Sequence, residues 1–438
     1  GKTSLSGAIV RTLLQIRQKV MLLAPTGRAA KVFSLGSGAP AYTIHRRIYR
    51  EKAFAGVDGQ FSLNDNLYTD TLFMVDEASM IANMGLGGTT FGSGCLLDDL
   101  VKFVYQGHND RLLLIGDKAQ LPPVGEEESP ALSASVMEGY GLKVYECDLN
   151  EVLRQSQSSG ILYNATLIRQ MITHDAVTGL PLIRFKGFAD IVMMPGAELV
   201  ESLGDSYHHV GMDETMVITR SNKRANIYNN GIRNMVLDRE EELSSGDMLM
   251  IVKNNYFWTE KEKKESGEGS AGAVPAFLAN GDRAKVLRVS NYIELYGFRF
   301  ATLLLQLPDY DDYEMQVTGM LDTLQSEAPA LTHEQQEELF RQVEEDYQHF
   351  VPLKADRMKS IRQDAYFNAL QIKYAYAVTC HKAQGGQWAH VYVDQGYMTD
   401  DMLTPDYIHW LYTAFTRATD KLFLVNWPKE QTCEPTDL

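Results

Sequence analysis

The sequence predicts an α/β protein with two parallel sheets and a small β-barrel inserted into the second sheet. Residues 72–75 (Leu-Phe-Met-Val) are an apolar run that leads directly into Asp76 and Glu77, and residues 111–115 repeat the pattern before Gly-Asp. Such runs are typical of strands buried on both faces of a parallel sheet. Over residues 246–309, short β-type runs broken by turn signals replace this pattern. They predict a small antiparallel barrel.

The acid pair after the first run suits chemistry on a metal-bound triphosphate. Ligands of α/β sheets bind in the crevice at the carboxyl ends of the strands. At that position Asp76 can hold Mg²⁺ directly or through water, and Glu77 can orient and deprotonate an attacking water. Because an Asp-Glu pair alone is also typical of an ordinary loop, the interpretation needs a second motif.

The start of the chain supplies that motif. Gly1, Lys2 and Thr3 precede apolar residues at helical spacing. They match the second half of the phosphate-binding loop G-x-x-x-x-G-K-[ST], in which backbone N–H groups hold phosphate, the lysine reaches the β and γ phosphates and the threonine ligates Mg²⁺. The glycine-rich first half is missing, so we expect the natural N-terminus to lie upstream. The two motifs together predict a nucleoside triphosphatase.

A glutamine follows the second apolar run, in the sequence Lys-Ala-Gln-Leu-Pro-Pro-Val of residues 118–124. Gln120 is expected one strand away from Asp76, where it is placed to contact the γ phosphate. The alternative is an ordinary strand end followed by a proline turn.

Composition excludes some classes of protein. No apolar run approaches the roughly 18 residues that a membrane-spanning helix needs. Four scattered cysteines without a C-x-x-C pair fit a reducing cytoplasm and argue against a zinc site or disulfide framework. The net charge of −16 is uneven, because residues 309–347 contain twelve acids against one base, Arg341. The rest of the chain is close to balanced, so net charge does not exclude nucleic acid as a partner.

An ordered set of motifs runs along nearly the whole chain: Gly-Lys-Thr, Ala-Pro-Thr-Gly-Arg-Ala-Ala, Thr-Ile-His, Val-Asp-Glu-Ala-Ser-Met, Gly-Asp-Lys-Ala-Gln-Leu-Pro-Pro-Val, Leu-Arg-Gln, Val-Thr-Cys-His-Lys-Ala-Gln-Gly and Thr-Ala-Phe-Thr-Arg-Ala. This set resembles the helicase motifs of superfamily 1, and most closely those of the RecD-like 5′→3′ DNA helicases. The resemblance implies two RecA-like motor domains that bind ATP and Mg²⁺ between them.

The resemblance also implies a domain organisation, which we combine with the β-type runs. We expect a first motor domain at residues 1–155, a second at residues 156–245 and 372–438, and the barrel with an acidic helical segment at residues 246–371. An Asp-Gly turn between apolar alternations predicts a β-hairpin near residues 53–63. This hairpin resembles the strand-separating pin of the family. Phe54 or Phe61 is then either its wedge or an ordinary packing residue, and packing is the more common role.

Site residues follow from the matching motif positions. The implied nucleotide and metal ligands are Gly1, Lys2, Thr3 and Asp76, with Thr3 and Asp76 on Mg²⁺. The implied catalytic residues are Glu77, Gln120, Arg154 and Arg417, the two arginines reaching the γ phosphate, where charge spreads in the transition state. Gln384 and Gly385 are implied to relay the ATP state. The implied DNA contacts are Thr26, His45, Thr379 and His381. These contacts are expected to tolerate any DNA sequence.

The sequence therefore predicts an ATP-dependent DNA helicase that moves on single-stranded DNA and acts at duplex junctions, in a repair or recombination setting that can include protein partners. Two alternatives remain. One is a DNA-stimulated translocase without strand separation, and the other is a non-catalytic single-strand binding module with a vestigial ATP site. A vestigial site is expected to have lost Glu77, Gln120, Arg154 or Arg417, and all four are present.

Overall fold

The computed structural model describes residues 2–54, 59–84, 92–149, 159–173, 179–266, 274–275 and 277–433. The chain divides into two compact units, one of Gly1–Arg50, Phe61–Arg220 and Thr379–Leu438, the other of Glu51–Gln60 and Ser221–Val378. The first unit holds a four-stranded sheet and most of a five-stranded sheet, and the second unit holds a closed barrel. Within the described ranges, no helix is long and apolar enough to cross a bilayer.

The first sheet is parallel, as predicted. In chain order the first elements are α1 (Lys2–Gln15), β1 (Lys19–Ala24), α2 (Gly27–Ser37), β2 (Ala41–Thr43), α3 (Ile44–Ile48), β3 (Tyr49–Phe54), β4 (Gly59–Leu63), β5 (Thr71–Val75), α4 (Leu96–Gln106), β6 (Arg111–Leu114) and α5 (Ala134–Glu138). The strand order of the first sheet is β2-β1-β5-β6.

Strand β5 is buried on both faces, which confirms the prediction from its apolar run. Phe73 and Val75 lie in the core cluster that includes α4, where Phe73 meets Phe103 edge to face at 6.0 Å. Met74 points to the opposite face and packs with Val10 of α1. Because successive side chains of a strand alternate between faces, both faces must be covered, and the polar residues after Val75 are left at the sheet edge.

The predicted hairpin is present as the two-stranded sheet β3-β4. Phe61 is half-buried against the first core cluster, so it is a packing residue. The side chain of Phe54 and the turn at residues 55–58 lie outside the described part of the chain.

The second unit begins after the next elements, α6 (Gly160–Thr173), β7 (Ile191–Met194), α7 (Leu199–His209) and β8 (Thr215–Thr219). It contains α8 (Asn222–Gly231), β9 (Met248–Ile251), α9 (Phe257–Ser266), β10 (Arg283–Leu295), β11 (Phe298–Leu307), β12 (Tyr313–Met320), α10 (His333–Gln348), α11 (Lys354–Arg362) and β13 (Leu370–Tyr374). The barrel closes in the order β10-β11-β12-β13-β9. It differs from the purely antiparallel prediction, because β12 and β13 pair in parallel. The two helices between these strands give the crossover that a parallel pair needs.

The second half of the acidic segment forms helix α10, which covers one side of the barrel core. A capping box between Thr332 and Gln335 fixes its start. Leu339 and Val343, one turn apart, are buried in a cluster with Phe300 of the barrel. Its remaining face carries the acids into solvent, which agrees with an ordinary solvated face.

The chain then completes the second sheet with β14 (Ala377–Thr379), α12 (Cys380–Ala383), β15 (Trp388–Asp394), α13 (Pro405–Phe415) and β16 (Ala418–Val425). The strand order is β14-β8-β15-β16-β7, with parallel pairs between β8, β15, β16 and β7. This confirms the second predicted parallel sheet.

Candidate active site

The acid pair lies at the carboxyl end of β5. Asp76 is buried, its N–H donates to the Leu23 carbonyl at 3.0 Å, and its Oδ1 accepts from the Glu77 N–H at 2.9 Å. Glu77 has a left-handed backbone (φ +52°), and its Oε2 is buried without a hydrogen-bond partner among the described residues. A buried carboxylate oxygen without a partner is costly in a folded protein. A water or cation held beside Asp76 would satisfy it, so the pair fits a hydrated magnesium-nucleotide.

A second buried oxygen without a partner lies after the neighbouring strand β6. Gln120 is buried, and its Oε1 accepts no hydrogen bond from the part of the chain that the structure describes. The loop that carries it is shaped by Asp117, whose carbonyl accepts from the Gln120 N–H at 3.1 Å and whose Oδ1 accepts from the Ala119 N–H at 3.1 Å. Since β5 and β6 pair in parallel, both oxygens lie at one edge of the first sheet.

The same loop is hydrogen-bonded to the second sheet's elements. The Leu121 N–H donates to Thr413 Oγ1 at 2.8 Å, and His409 Nδ1 donates to the Ala119 carbonyl at 2.9 Å. The Tyr412 hydroxyl donates to Asp117 Oδ2 at 2.8 Å. Helix α13 therefore contacts the loop through three side chains on one face.

Arg417 follows α13 and is buried. Its Nε donates to the Thr413 carbonyl at 3.0 Å, its Nη1 to the Gly386 carbonyl at 3.0 Å and its Nη2 to Thr416 Oγ1 at 3.1 Å. A guanidinium has five N–H donors. The hydrogen bonds fix its position and, among the residues that the structure describes, leave donors for a further acceptor.

Gln384 and Gly385 lie where the two sheets' loops meet. Gln384 Nε2 donates to the Leu121 carbonyl at 3.0 Å. Gly385 has φ +78°, and a Cβ built on it would lie 3.5 Å from Ala29 Cβ and 3.7 Å from Thr26 Oγ1. The structure thus brings Gln384 next to the Gln120 loop and Gly385 next to Thr26, two pairs that sequence reasoning did not predict.

The residues predicted to contact DNA lie at the N-terminal ends of helices α2, α3 and α12. Thr26 caps α2 by accepting from the Ala29 N–H at 3.2 Å, and Thr379 is the N-cap residue of α12. Burial lowers the pKa of His45, in α3, to about 4, so this histidine is neutral near pH 7. Partial desolvation lowers the pKa of His381, an effect that the Asp406 carboxylate opposes. Neutral imidazoles at these positions can donate or accept hydrogen bonds without carrying charge.

Several predicted residues lie wholly or partly outside the described part of the chain. Gly1 and Arg154 are not described, and Lys2 and Thr3 are described only as part of helix α1. Their roles stay predictions.

Sequence reasoning missed the side chains that link the two sheets. Arg169 of α6 donates to Asp117 Oδ2 at 3.2 Å, where Tyr412 also donates. It also missed Ser79, whose Oγ is buried without a partner among the described residues. One signal was available, because His409 and Thr413 are polar residues one turn apart within a mostly apolar helix.

Two protein-family descriptions match the chain. An AAA domain matches residues 1–179, and a UvrD-like helicase C-terminal domain matches residues 374–425. The first match contains Asp76, Glu77 and Gln120, and the second contains Gln384 and Arg417. The two matched regions follow each other in one chain, with the AAA domain first.

Similar proteins were found by sequence and by structure. An uncharacterized protein of Acanthamoeba polyphaga mimivirus is 22% identical over 396 residues, covering 80% of this chain and 74% of that protein. A structure of two coordinating Pif1 helicases at forked duplex DNA matches with a TM-score of 0.48 at 13% identity, covering 99% of this chain and 88% of that one. Pif1 helicase from Bacteroides with ADP-AlF3 and single-stranded DNA matches with a TM-score of 0.46 at 13% identity, covering 99% and 89%. The chain therefore contains an AAA domain followed by a UvrD-like helicase C-terminal domain.

Proposed function

We propose that the protein is an ATP-dependent DNA helicase that translocates 5′→3′ on single-stranded DNA and separates strands at duplex junctions. The observation that carries the proposal is a pair of buried oxygens at one sheet edge, Glu77 Oε2 and Gln120 Oε1, that have no hydrogen-bond partner among the described residues. The 5′→3′ direction is supported by the motif resemblance to RecD-like helicases.

The residues divide the chemistry among them. Glu77 orients and deprotonates the attacking water, and Gln120 contacts the γ phosphate. Arg417 places positive charge where negative charge spreads over the phosphoryl oxygens. Asp76 and Thr3 would hold Mg²⁺, which neutralises charge on the phosphates when it is bound.

Coupling to DNA follows from the contacts of Gln384 and Gly385. Gln384 is bonded to the loop of the γ-phosphate sensor, and Gly385 lies against Thr26, one of the residues expected on DNA. A change in the nucleotide is thereby passed to the DNA-facing loops. Alternating grip of this kind moves the strand by about one nucleotide per hydrolysis.

The experiment compares Glu77→Gln with Glu138→Gln in the full chain. Glu138 is an exposed carboxylate in α5, so the control makes the same chemical change away from the site. We expect Glu77→Gln to lower DNA-stimulated kcat by about 10²–10⁴-fold, the usual contribution of a general base, with ATP binding retained. Glu138→Gln is expected to stay within about twofold of wild type.

Forked substrates with a 5′ or a 3′ single-stranded tail test strand separation and direction. The proposal expects displacement from the 5′-tailed substrate only. DNA-stimulated hydrolysis without displacement would support the translocase alternative instead. A rate of ATP hydrolysis that does not depend on DNA, or that is unchanged in Glu77→Gln, would refute the motor assignment.

A further inference from the structure

Three side chains on one face of α13 contact the loop around Gln120, namely His409, Tyr412 and Thr413. We propose that this α13 face is a relay between the Gln120 loop and Arg417, and that Thr413 is the residue that positions both. The proposal rests on the proposed function and deepens it, because it concerns how the same site passes on the state of the γ phosphate.

Thr413 joins the two sides through its own atoms. Its Oγ1 accepts from the Leu121 N–H at 2.8 Å and donates to the His409 carbonyl at 2.7 Å. Its carbonyl accepts from Arg417 Nε at 3.0 Å. One residue therefore touches both the backbone next to Gln120 and the guanidinium.

The connection closes into a ring through the Gln384 loop. Arg417 Nη1 donates to the Gly386 carbonyl at 3.0 Å, and Gln384 Nε2 donates to the Leu121 carbonyl at 3.0 Å. Leu121 is thus held at its N–H by Thr413 and at its carbonyl by Gln384. All four hydrogen bonds of the ring are buried.

Because the hydrogen bonds of the ring are buried, the Gln120 loop and Arg417 are mechanically coupled. Gln120 lies between Ala119 and Leu121, whose backbone atoms are both bonded to groups of the second sheet's loops and helix. A shift of Gln120 on its own would leave buried donors and acceptors unpaired, which is unfavourable. The loop and Arg417 therefore move together when the contact of Gln120 with the nucleotide changes.

The test compares Thr413→Val with Thr413→Ser. Valine keeps the shape and removes the hydroxyl, whereas serine keeps the hydroxyl. The matched control is Thr215→Val, at a buried threonine of β8 whose Oγ1 donates to the Gly211 carbonyl at 2.9 Å, away from the ring. DNA-stimulated kcat, KM for ATP and ATP consumed per base pair unwound are measured for each variant.

We expect Thr413→Val to lower DNA-stimulated kcat at least tenfold and to raise the ATP consumed per base pair, with KM for ATP within twofold of wild type. Thr413→Ser and Thr215→Val are expected to stay within twofold in all three quantities. Wild-type kcat in Thr413→Val, or an equal loss in Thr413→Ser, would overturn the proposal.

A second pair of variants keeps the proposal testable if Thr413→Val does not fold. Tyr412→Phe removes the hydroxyl bonded to Asp117, and Tyr392→Phe removes a hydroxyl bonded to Ser202 and Ser206 within the second sheet's own layer. A kcat loss of threefold or more in Tyr412→Phe alone supports the relay, and equal behaviour of the two variants overturns it. If the wild-type protein shows no DNA-stimulated hydrolysis, the proposed function itself fails, which is a separate result.

Discussion

Replacing Asp247 by asparagine is expected to destabilise the barrel unit by about 3–5 kcal/mol. Asp247 is fully buried and its carboxylate accepts five hydrogen bonds. The donors are Arg233 Nε and Nη2 at 3.1 Å each, Arg239 Nη1 at 2.6 Å, the Tyr376 hydroxyl at 2.8 Å and the Ser244 N–H at 2.7 Å. These bonds join the segment after α8 to the start of β9 and to the residues between β13 and β14.

The magnitude follows from the charges. The side chains of Arg233 and Arg239 are 4% and 17% exposed, so two guanidinium groups share one carboxylate and water solvates their charges only weakly. Asparagine has almost the same volume, and the substitution therefore opens no cavity. Removing one partner of a buried pair leaves uncompensated charge, which costs about 3–5 kcal/mol. That is a large fraction of the roughly 5–15 kcal/mol that stabilises a typical domain.

Native-state hydrogen exchange measures the effect within one protein. In Asp247→Asn we expect the free energy of opening of the β9 amides to fall by about 3–5 kcal/mol. The amides of β5 in the first unit serve as an internal reference. The control is Asp65→Asn, which breaks an ion pair with Arg50 whose side chains are 75% and 56% exposed. An exposed pair is worth at most about 1 kcal/mol. Equal and small losses in the two variants would refute the reasoning.

Two further outcomes follow from the site. Because the pKa of His45 is lowered to about 4, the unfolded chain binds a proton below pH 6.5 that the folded protein does not bind until near pH 4. The free energy of unfolding should therefore fall between these pH values by at most about 3 kcal/mol, and His45→Gln should remove that part of a pH-dependent denaturation series. Gly385→Ala should cost about 1–2 kcal/mol in the same denaturation assay, since φ +78° is unfavourable for alanine although the added Cβ would make only ordinary van der Waals contacts. Gly204→Ala, in α7 with nothing near its Cβ position, should instead be neutral or stabilising by up to about 1 kcal/mol; the same sign for both would contradict the backbone argument.

The strands next to the site could be predicted because their signal is local. An apolar run that enters an acid pair has one plausible arrangement, and Phe73, Met74 and Val75 adopt it. The helical period of α10 was equally local, although its acids concealed the buried Leu339 and Val343. In both cases the pattern within about ten residues carries the information.

The link between the two sheets could not be predicted, because its partners are far apart in the chain. Leu121 and Thr413 are separated by 292 positions. Periodicity indicates that α13 has a polar face but not which loop this face contacts. The buried oxygens of Glu77 and Gln120, which lack a partner within the described part of the chain, likewise cannot be read from the sequence, since their burial depends on distant neighbours. The parallel pairing of β12 and β13 depends on the path of the intervening helices.

The interruption of the second sheet has a consequence for biosynthesis. The chain leaves the first unit at Arg220 and re-enters it at Thr379, and both sheet neighbours of β8 come from the later part. At roughly 5–20 residues per second, a ribosome takes on the order of 10–30 s to make the residues between. For that interval neither edge of β8 is paired, and its five side chains, all buried in the finished protein, lack their final neighbours. Such an edge is a template for aggregation, so the nascent chain should depend on a holding chaperone until its last strands emerge.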